Sequence, residues 1–354
     1  MVALEQTSGG SGTDTNSCNN PLRNIKNTYR PRVEARIEAY RNADLGKAAA
    51  EFAGQARADN TTMAYRQGVE QYRAFCANAG FEVDPGDAEA IRQFLTFLAI
   101  KRGLSMATIA LRFAALRRYY RDGYGRENVT NSDSVRDCLK GLTRVLGERP
   151  KHAEPLGVEK LRKIMKALPK GRDGKLNVEA LRDRALLLVM YAGALRRSEA
   201  AAILRADVVF EEGGVRMLLR SSKGDQQNEG RWIAIGFGHR KGTCPVLALQ
   251  TWFDASPDRN NLFHPVTSSG FVKVEALTDK GIGRVVKRAA ARARLDWEAI
   301  TAHSLRSGVA TDLTSAGLPT ALVQERTRHK SANMVARYHH PELYKTNFSR
   351  KGGL

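Results

Sequence analysis

The sequence predicts a mainly α-helical protein of two domains, the second carrying a small antiparallel β-sheet. Three observations lead there. The chain has 354 residues, enough for two domains of about 100–200 residues each. Apolar positions recur at helical spacing along most of it, between residues suited to starting and stopping helices. One stretch, 207–236, instead alternates apolar and polar residues around a Gly-Gly turn.

Residues 1–27 are rich in Gly, Ser, Thr and Asn and poor in apolar side chains, which predicts a disordered arm. Residues 28–147 read as a domain of four to five helices. "TTMAYRQGVEQYRAFCANAG" has Thr61 or Thr62 as its cap, an apolar stripe through Met63, Tyr65, Val69, Tyr72 and Phe75, and a stop at Gly80. "DAEAIRQFLTFLAIKRG" runs from an Asp87 cap to Gly103, and "SMATIALRFAALRRYYRDG" from a Ser105 cap to Gly123. A fourth helix starts at Ser132 or Asp133 and ends at Gly147. Short connections between them predict a compact helical domain.

"ERPKHAEPLG", with two prolines and mixed charge, predicts a linker over 148–156. Helices resume at Val158, give way to three antiparallel strands over 207–236, and return at 244–256, 277–294, 303–316, 319–328 and 332–340. The second domain is thus 157–340, followed by a tail, 341–354.

Charge narrows the partner. Lys and Arg number 57 against 37 Asp and Glu, a net charge of +20 and a pI near 10.1. Such a surface attracts a polyanion at long range, and nucleic acid is the expected one. A membrane is not expected as partner, because the longest apolar run, "ALLLVMYAGAL", falls well short of the roughly 18–20 residues that span a bilayer. Residues 1–20 show no basic stretch followed by an apolar one, so no secretory signal is expected. Cys18, Cys76, Cys138 and Cys244 stand far apart without a CxxC pair, which argues against a zinc site or a disulfide framework and for a reducing cytoplasm.

Five features of the second domain bear on chemistry. Arg196 and Arg197 follow an apolar helix where its pattern demands burial, and charge there is costly unless a carboxylate or an anion meets it. Glu199 is close enough to orient Arg196, so a structural ion pair and an anion site both satisfy the pattern. Lys223 sits at the tip between two predicted strands, where a lysine is ordinarily just solvated. In "TAHSLRSGVATDL", His303 and Arg306 are three apart on one helix and face together, as a basic patch or as receivers of one anion. "RHKSANMVARYHH" puts His329 in a turn and Tyr338 in the following short helix, where a lone tyrosine is usually a packing residue.

Taken in order, Arg196 with Ser-Glu behind it, the hairpin Lys223, HSLR at 303–306, His329 and Tyr338 nine residues later, this series resembles the tyrosine recombinases, the phage-integrase family that includes Cre. The resemblance covers the chain from about residue 58. It implies a site-specific DNA recombinase that cleaves and rejoins strands through a 3′-phosphotyrosyl link and exchanges them by way of a Holliday junction. Tyr338 is then the nucleophile, and Lys223 the general acid for the departing 5′ oxygen. Arg196, Arg306, His303 and His329 hold the non-bridging phosphate oxygens, where charge builds in the transition state.

A guanidinium suits that task, since its planar fork matches two phosphate oxygens. A phenol of ordinary pKa about 10 needs help to ionise, and the clustered arginines and histidines are expected to supply the field. Bond energy kept in the phosphotyrosine removes the need for ATP or metal, and no GxxxxGK[ST], HExxH or magnesium-type carboxylate cluster is present. No cofactor is expected. Arg328 departs from the family pattern by standing where glycine usually precedes the histidine, and Ser307 and Gly308 fill positions that vary.

The resemblance further implies a C-shaped clamp round double-stranded DNA with inverted-repeat arms, and a homo-tetramer on two sites held together by the tail. Expected readers of the DNA are Met63, Arg66, Thr108, Arg112, Lys280 and Arg284, each by a base edge or a phosphate. The expected setting is the prokaryotic nucleoid, on a phage- or plasmid-type element. Two rival readings remain open at this point. One is a DNA-binding regulator, since 318–340 can be drawn as helix-turn-helix. The other is a type IB topoisomerase, which shares the tyrosine chemistry without strand exchange.

Overall fold

The computed structural model describes residues 44–47, 59–147, 153–220, 230–336 and 338. The chain divides into two compact units, Met1–Pro150 and Lys151–Leu354.

The first unit is built on the helices α1 (Asp59–Ala79), α2 (Ala88–Ile100), α3 (Met106–Tyr124) and α4 (Asp133–Leu146). Helix α1 begins ahead of the expected cap, so Thr61 and Thr62 lie in its first turn. Its apolar stripe also starts later. Met63 is 68% exposed, whereas Tyr72 and Cys76 are fully buried, because only the C-terminal half of α1 lies on the core. The Asp87 and Ser105 caps form as expected, accepting hydrogen bonds from Glu89 N and Thr108 N. Gly123, the expected stop of α3, is instead inside the helix. The chain turns off at Gly125, whose φ of +79° suits glycine. Tyr72, Ile91, Phe94, Leu95, Leu116 and Tyr120 fill the core, with Tyr72 edge-on to Phe94 at 5.2 Å.

In the second unit, α5 (Val158–Lys166) leads to α6 (Val178–Ala192), whose residues Ala185–Met190 are all buried. A helix apolar all round needs cover all round. It receives it from α8 (Pro245–Ala255) and α10 (His303–Ser315) along its length, with the short α7 (Arg197–Ala202) at its end. Strands β1 (Val208–Glu211), β2 (Gly214–Leu219) and β3 (Arg231–Gly236) pair antiparallel in that order, Val208 opposite Met217 and Leu219 opposite Arg231. Val215, Met217 and Leu219 alternate into the core with Ile233 and Ile235, as the period-2 pattern requires. Helices α9 (Asp279–Arg292), α11 (Thr320–Thr327) and α12 (Ala332–Ala336) complete the unit.

One close approach fixes α10, the helix that carries His303 and Arg306. Residues 153–157 run across it, with Leu156 fully buried and its N–H donating to Ser304 O at 2.8 Å. At the crossing stands Gly308, where an added Cβ would lie 2.1 Å from Leu156 O. Asp312 completes the clasp, accepting from Val158 N at 2.7 Å and from the Tyr191 hydroxyl.

Candidate active site

Helix α6 ends at Ala192, and the chain turns through Ala194, a non-glycine residue at φ +46°. That turn delivers Arg196 as the N-cap of α7. Glu199, buried three residues on, accepts from the Arg196 N–H at 2.8 Å and from its guanidinium. Arg306, on the first turn of α10, is 1% exposed and donates Nη1 to Ala194 O at 2.6 Å. Its Nη2 is buried without a hydrogen-bond partner among the described residues.

Arg328 closes the cluster from the end of α11. Its Nη1 donates to Gly193 O and its Nη2 to Ala194 O and Glu199 Oε2, each at 2.9 Å. Three guanidiniums, of Arg196, Arg306 and Arg328, therefore lie about a single carboxylate. The electrostatics record the crowding. Burial first, then Arg196 and Arg328, push the Arg306 guanidinium down to about 9. Burial pushes the Glu199 carboxyl up, yet Arg328 and Arg196 outweigh it and hold the group below the usual carboxylate range.

His329 follows Arg328 and is 6% exposed, its Nδ1 bonded to Thr327 Oγ1 at 2.6 Å. Burial, then Arg306 and Arg196, lower its pKa to about 4. His303 opens α10 and is exposed. Partial desolvation, then Arg306 and Arg196, hold it below the ordinary imidazole value. Both imidazoles are thus neutral at pH 7. The positive field expected from arginines and histidines together comes from the arginines alone.

Tyr338 is half-buried in a turn beyond α12, not within the helix expected over 332–340. Its N–H bonds Val335 O at 2.9 Å, a tight turn that packs the residue against the cluster of Ala310, Val323 and Val335. The ring centroid lies 5.4 Å from that of His329, and the phenol is within electrostatic range of Arg306.

The fold thus brings together Arg196, Glu199, His303, Arg306, His329 and Tyr338. Lys223 lies outside the described residues, as do the arm 1–27, linker residues 148–152 and the tail 341–354. Of the expected DNA readers, Met63, Arg66, Lys280 and Arg284 are exposed, while Thr108 is half-buried with its hydroxyl 3.1 Å from Ser105 Oγ. Arg112 is a correction. It is 8% exposed and spans the gap to α1, donating to Ala64 O at 3.1 Å and Gln67 Oε1 at 2.8 Å, so its fork is already occupied. The sequence reading also missed Thr327, which holds the His329 ring, and gave Arg328 no task. A signal for the latter existed, since an arginine where glycine is usual calls for a compensating side-chain contact.

A mostly helical fold that gathers unneutralised guanidiniums beside a tyrosine has the makings of a site for phosphodiester chemistry. Residues 155–343 match the phage integrase family, and residues 48–128 match the N-terminal SAM-like domain of phage integrases. The chain is 31% identical over 317 residues to an integrase/recombinase XerD homolog of Selenomonas ruminantium, covering 89% of this chain and 90% of that one. It is 27% identical over 309 residues to tyrosine recombinase XerD of Caulobacter vibrioides, covering 86% and 92%. Among solved structures it is similar to XerH site-specific recombinase bound to palindromic difH substrate, with a TM-score of 0.58, 20% identity, and 82% and 78% of the two chains covered. A lambda integrase dimer bound to a COC′ core site gives a TM-score of 0.56 at 17% identity, covering 88% and 82%.

The chain belongs to the phage integrase family. It is a tyrosine recombinase, an enzyme of site-specific DNA breakage and rejoining. Among the described residues, no helix is long and apolar enough to cross a membrane.

Proposed function

We propose that Tyr338 attacks the scissile phosphorus of double-stranded DNA while Arg196 and Arg306 hold its non-bridging oxygens. The observation that carries this is Arg306 Nη2, a buried donor with no partner among the described residues, beside two further guanidiniums that already share the one carboxylate, Glu199. A buried, unpaired cationic donor is costly until an anion meets it, and a phosphodiester is an anion with two free oxygens to offer.

The phenolic oxygen forms the new P–O bond, its proton passing to solvent water, and the bond to the 5′ oxygen breaks, giving a 3′-phosphotyrosyl link. Lys223 gives the 5′ oxygen its proton. The guanidiniums favour the phenolate form of Tyr338 and the extra charge of the transition state alike. His303 and His329, neutral and beside the arginines, offer hydrogen bonds without adding charge. Glu199 keeps Arg196 in place. Rejoining is the same step in reverse with a 5′ hydroxyl from the partner strand, which gives exchange through a Holliday junction. A homo-tetramer on two sites with inverted-repeat arms, linked by the tails, is the assembly this requires. Met63, Arg66, Lys280 and Arg284 are the side chains offered to the DNA, in the cytoplasm, on the nucleoid or a phage- or plasmid-type element.

The test starts from binding-site selection in random duplex DNA, followed by incubation with a nicked suicide duplex of the selected site. A covalent adduct and recombinant product are expected from the parent chain. Tyr338→Phe is expected to bind the duplex and give no adduct, whereas Tyr344→Phe, which changes the other tyrosine that follows His329 in the sequence, retains it. An adduct formed by the Tyr338→Phe protein overturns the assignment. An adduct without recombinant product points to topoisomerase-like cleavage.

A further inference from the structure

Arg328 occupies a left-handed backbone conformation, φ +56° and ψ 43°, as the C-cap of α11. Glycine adopts this conformation freely, and an L residue does so at a cost. The arginine here is held there by its side chain, which is almost wholly buried yet makes three hydrogen bonds. Those bonds reach both ends of one segment. Gly193 O and Ala194 O belong to the turn before Arg196, and Glu199 Oε2 to the carboxylate behind it. The main chain joins in, since Arg196 Nη2 donates to Arg328 O at 3.3 Å.

Two acceptors are shared. Ala194 O takes both Arg328 Nη2 and Arg306 Nη1, and Glu199 takes both Arg328 and Arg196. The side chain of Arg328 is thus the piece that bonds to groups held by each of the other two guanidiniums. Its two terminal nitrogens are engaged by protein, Nη2 twice, and its Nε is a buried donor unmet among the described residues. Without it, Glu199 answers to Arg196 alone, and the left-handed turn at Ala194 loses two of the donors that fix its carbonyls.

We infer that Arg328 is a positioning residue that sets the spacing of Arg196 and Arg306 for the scissile phosphate. This rests on the reading that those two arginines grip that phosphate. A plain helix cap would need only the backbone, which glycine supplies better. A positioning role needs the guanidinium itself, because lysine presents a point charge and cannot span two carbonyls and a carboxylate.

The experiment compares single-turnover cleavage of the suicide duplex by the full-length parent, Arg328→Gly and Arg328→Lys, at saturating DNA and below every melting temperature. Displacing a substrate-positioning group by about 1 Å costs on the order of 10²-fold in rate. Arg328→Gly is therefore expected to cleave about 10²-fold more slowly, with DNA affinity within about threefold of the parent and no fall in Tm, since the strained backbone is relieved. Arg328→Lys is expected to recover less than about tenfold of that loss. Adding Glu199→Gln to Arg328→Gly is expected to slow cleavage little beyond the slower single variant, as for residues acting through one another.

Cleavage by Arg328→Gly within about threefold of the parent, or a loss of affinity with the rate kept, overturns the inference. Should the glycine variant not fold, the same threshold applied to Arg328→Lys decides. A parent chain that forms no adduct instead sinks the phosphate-site reading, and the inference falls with it.

Discussion

Arg112 and Arg306 are buried arginines, one in each unit, and they are held in different ways. Arg112 meets a helix carbonyl and an amide oxygen of α1, both neutral, with no other guanidinium bonded to the same groups. Arg306 meets one carbonyl, shares it with Arg328, and keeps a buried Nη2 unmet among the described residues. Arg112 ties two helices together where α1 crosses α3 at Gly68. Arg306 is pressed by like charge and lacks an anion. Burial of an arginine is therefore no sign of function by itself. What distinguishes the site is guanidinium set against guanidinium where water is excluded, which folding alone does not favour.

The largest effect expected from this contrast is on Arg306→Ala. Removing a donor to the developing charge is expected to slow single-turnover cleavage by about 10²–10³-fold. The fold should persist, because Ala194 O keeps Arg328 as donor. A rate within about tenfold of the parent breaks the distinction between the two arginines.

A smaller effect concerns acid. His329 titrates near 4 in the folded chain, and near the ordinary 6.5 when unfolded. Between those values the unfolded state binds the proton and the folded state does not, so stability falls as pH drops from about 6.5 to about 4 and no further from this group. At pH 5 the loss is about 2 kcal/mol. Urea unfolding at pH 7 and pH 5 is expected to show His329→Asn losing that much less than the parent. Equal losses in the two proteins refute the neutral, desolvated histidine.

Arg112→Met is expected to give the smallest and opposite result. It should lower stability by about 1 kcal/mol through its lost hydrogen bonds, with cleavage at saturating DNA unchanged. A fall in DNA affinity without a fall in stability returns Arg112 to the DNA-reading surface and erases the contrast.

Much of the fold was legible because local chemistry dictated it. Asp87 and Ser105 cap the helices they were expected to cap, and the alternating stretch forms the expected three-stranded antiparallel sheet. Two of the misses, at Met63 and Tyr338, came where a distant contact decided. Met63 sits at helical spacing with Val69 and Tyr72, but the core stops short of it. Gly123 lies inside the helix, and the chain turns off two residues later at Gly125, with φ +79°. Tyr338 leaves the helical path to pack on α10 and α11.

The sequence by itself determined the helices, the sheet, the basic charge and the residue types of the site, because caps, periodicity and side-chain chemistry are local properties. Only the tertiary structure decided which charges go unpaired. It occupied Arg112 with α1, left Arg306 an unmet donor among the described residues, and gave Arg328 the bonds that offset its backbone strain. Pairing depends on what lies across space, and desolvation on how much protein surrounds a group. Neither quantity is a function of position along the chain.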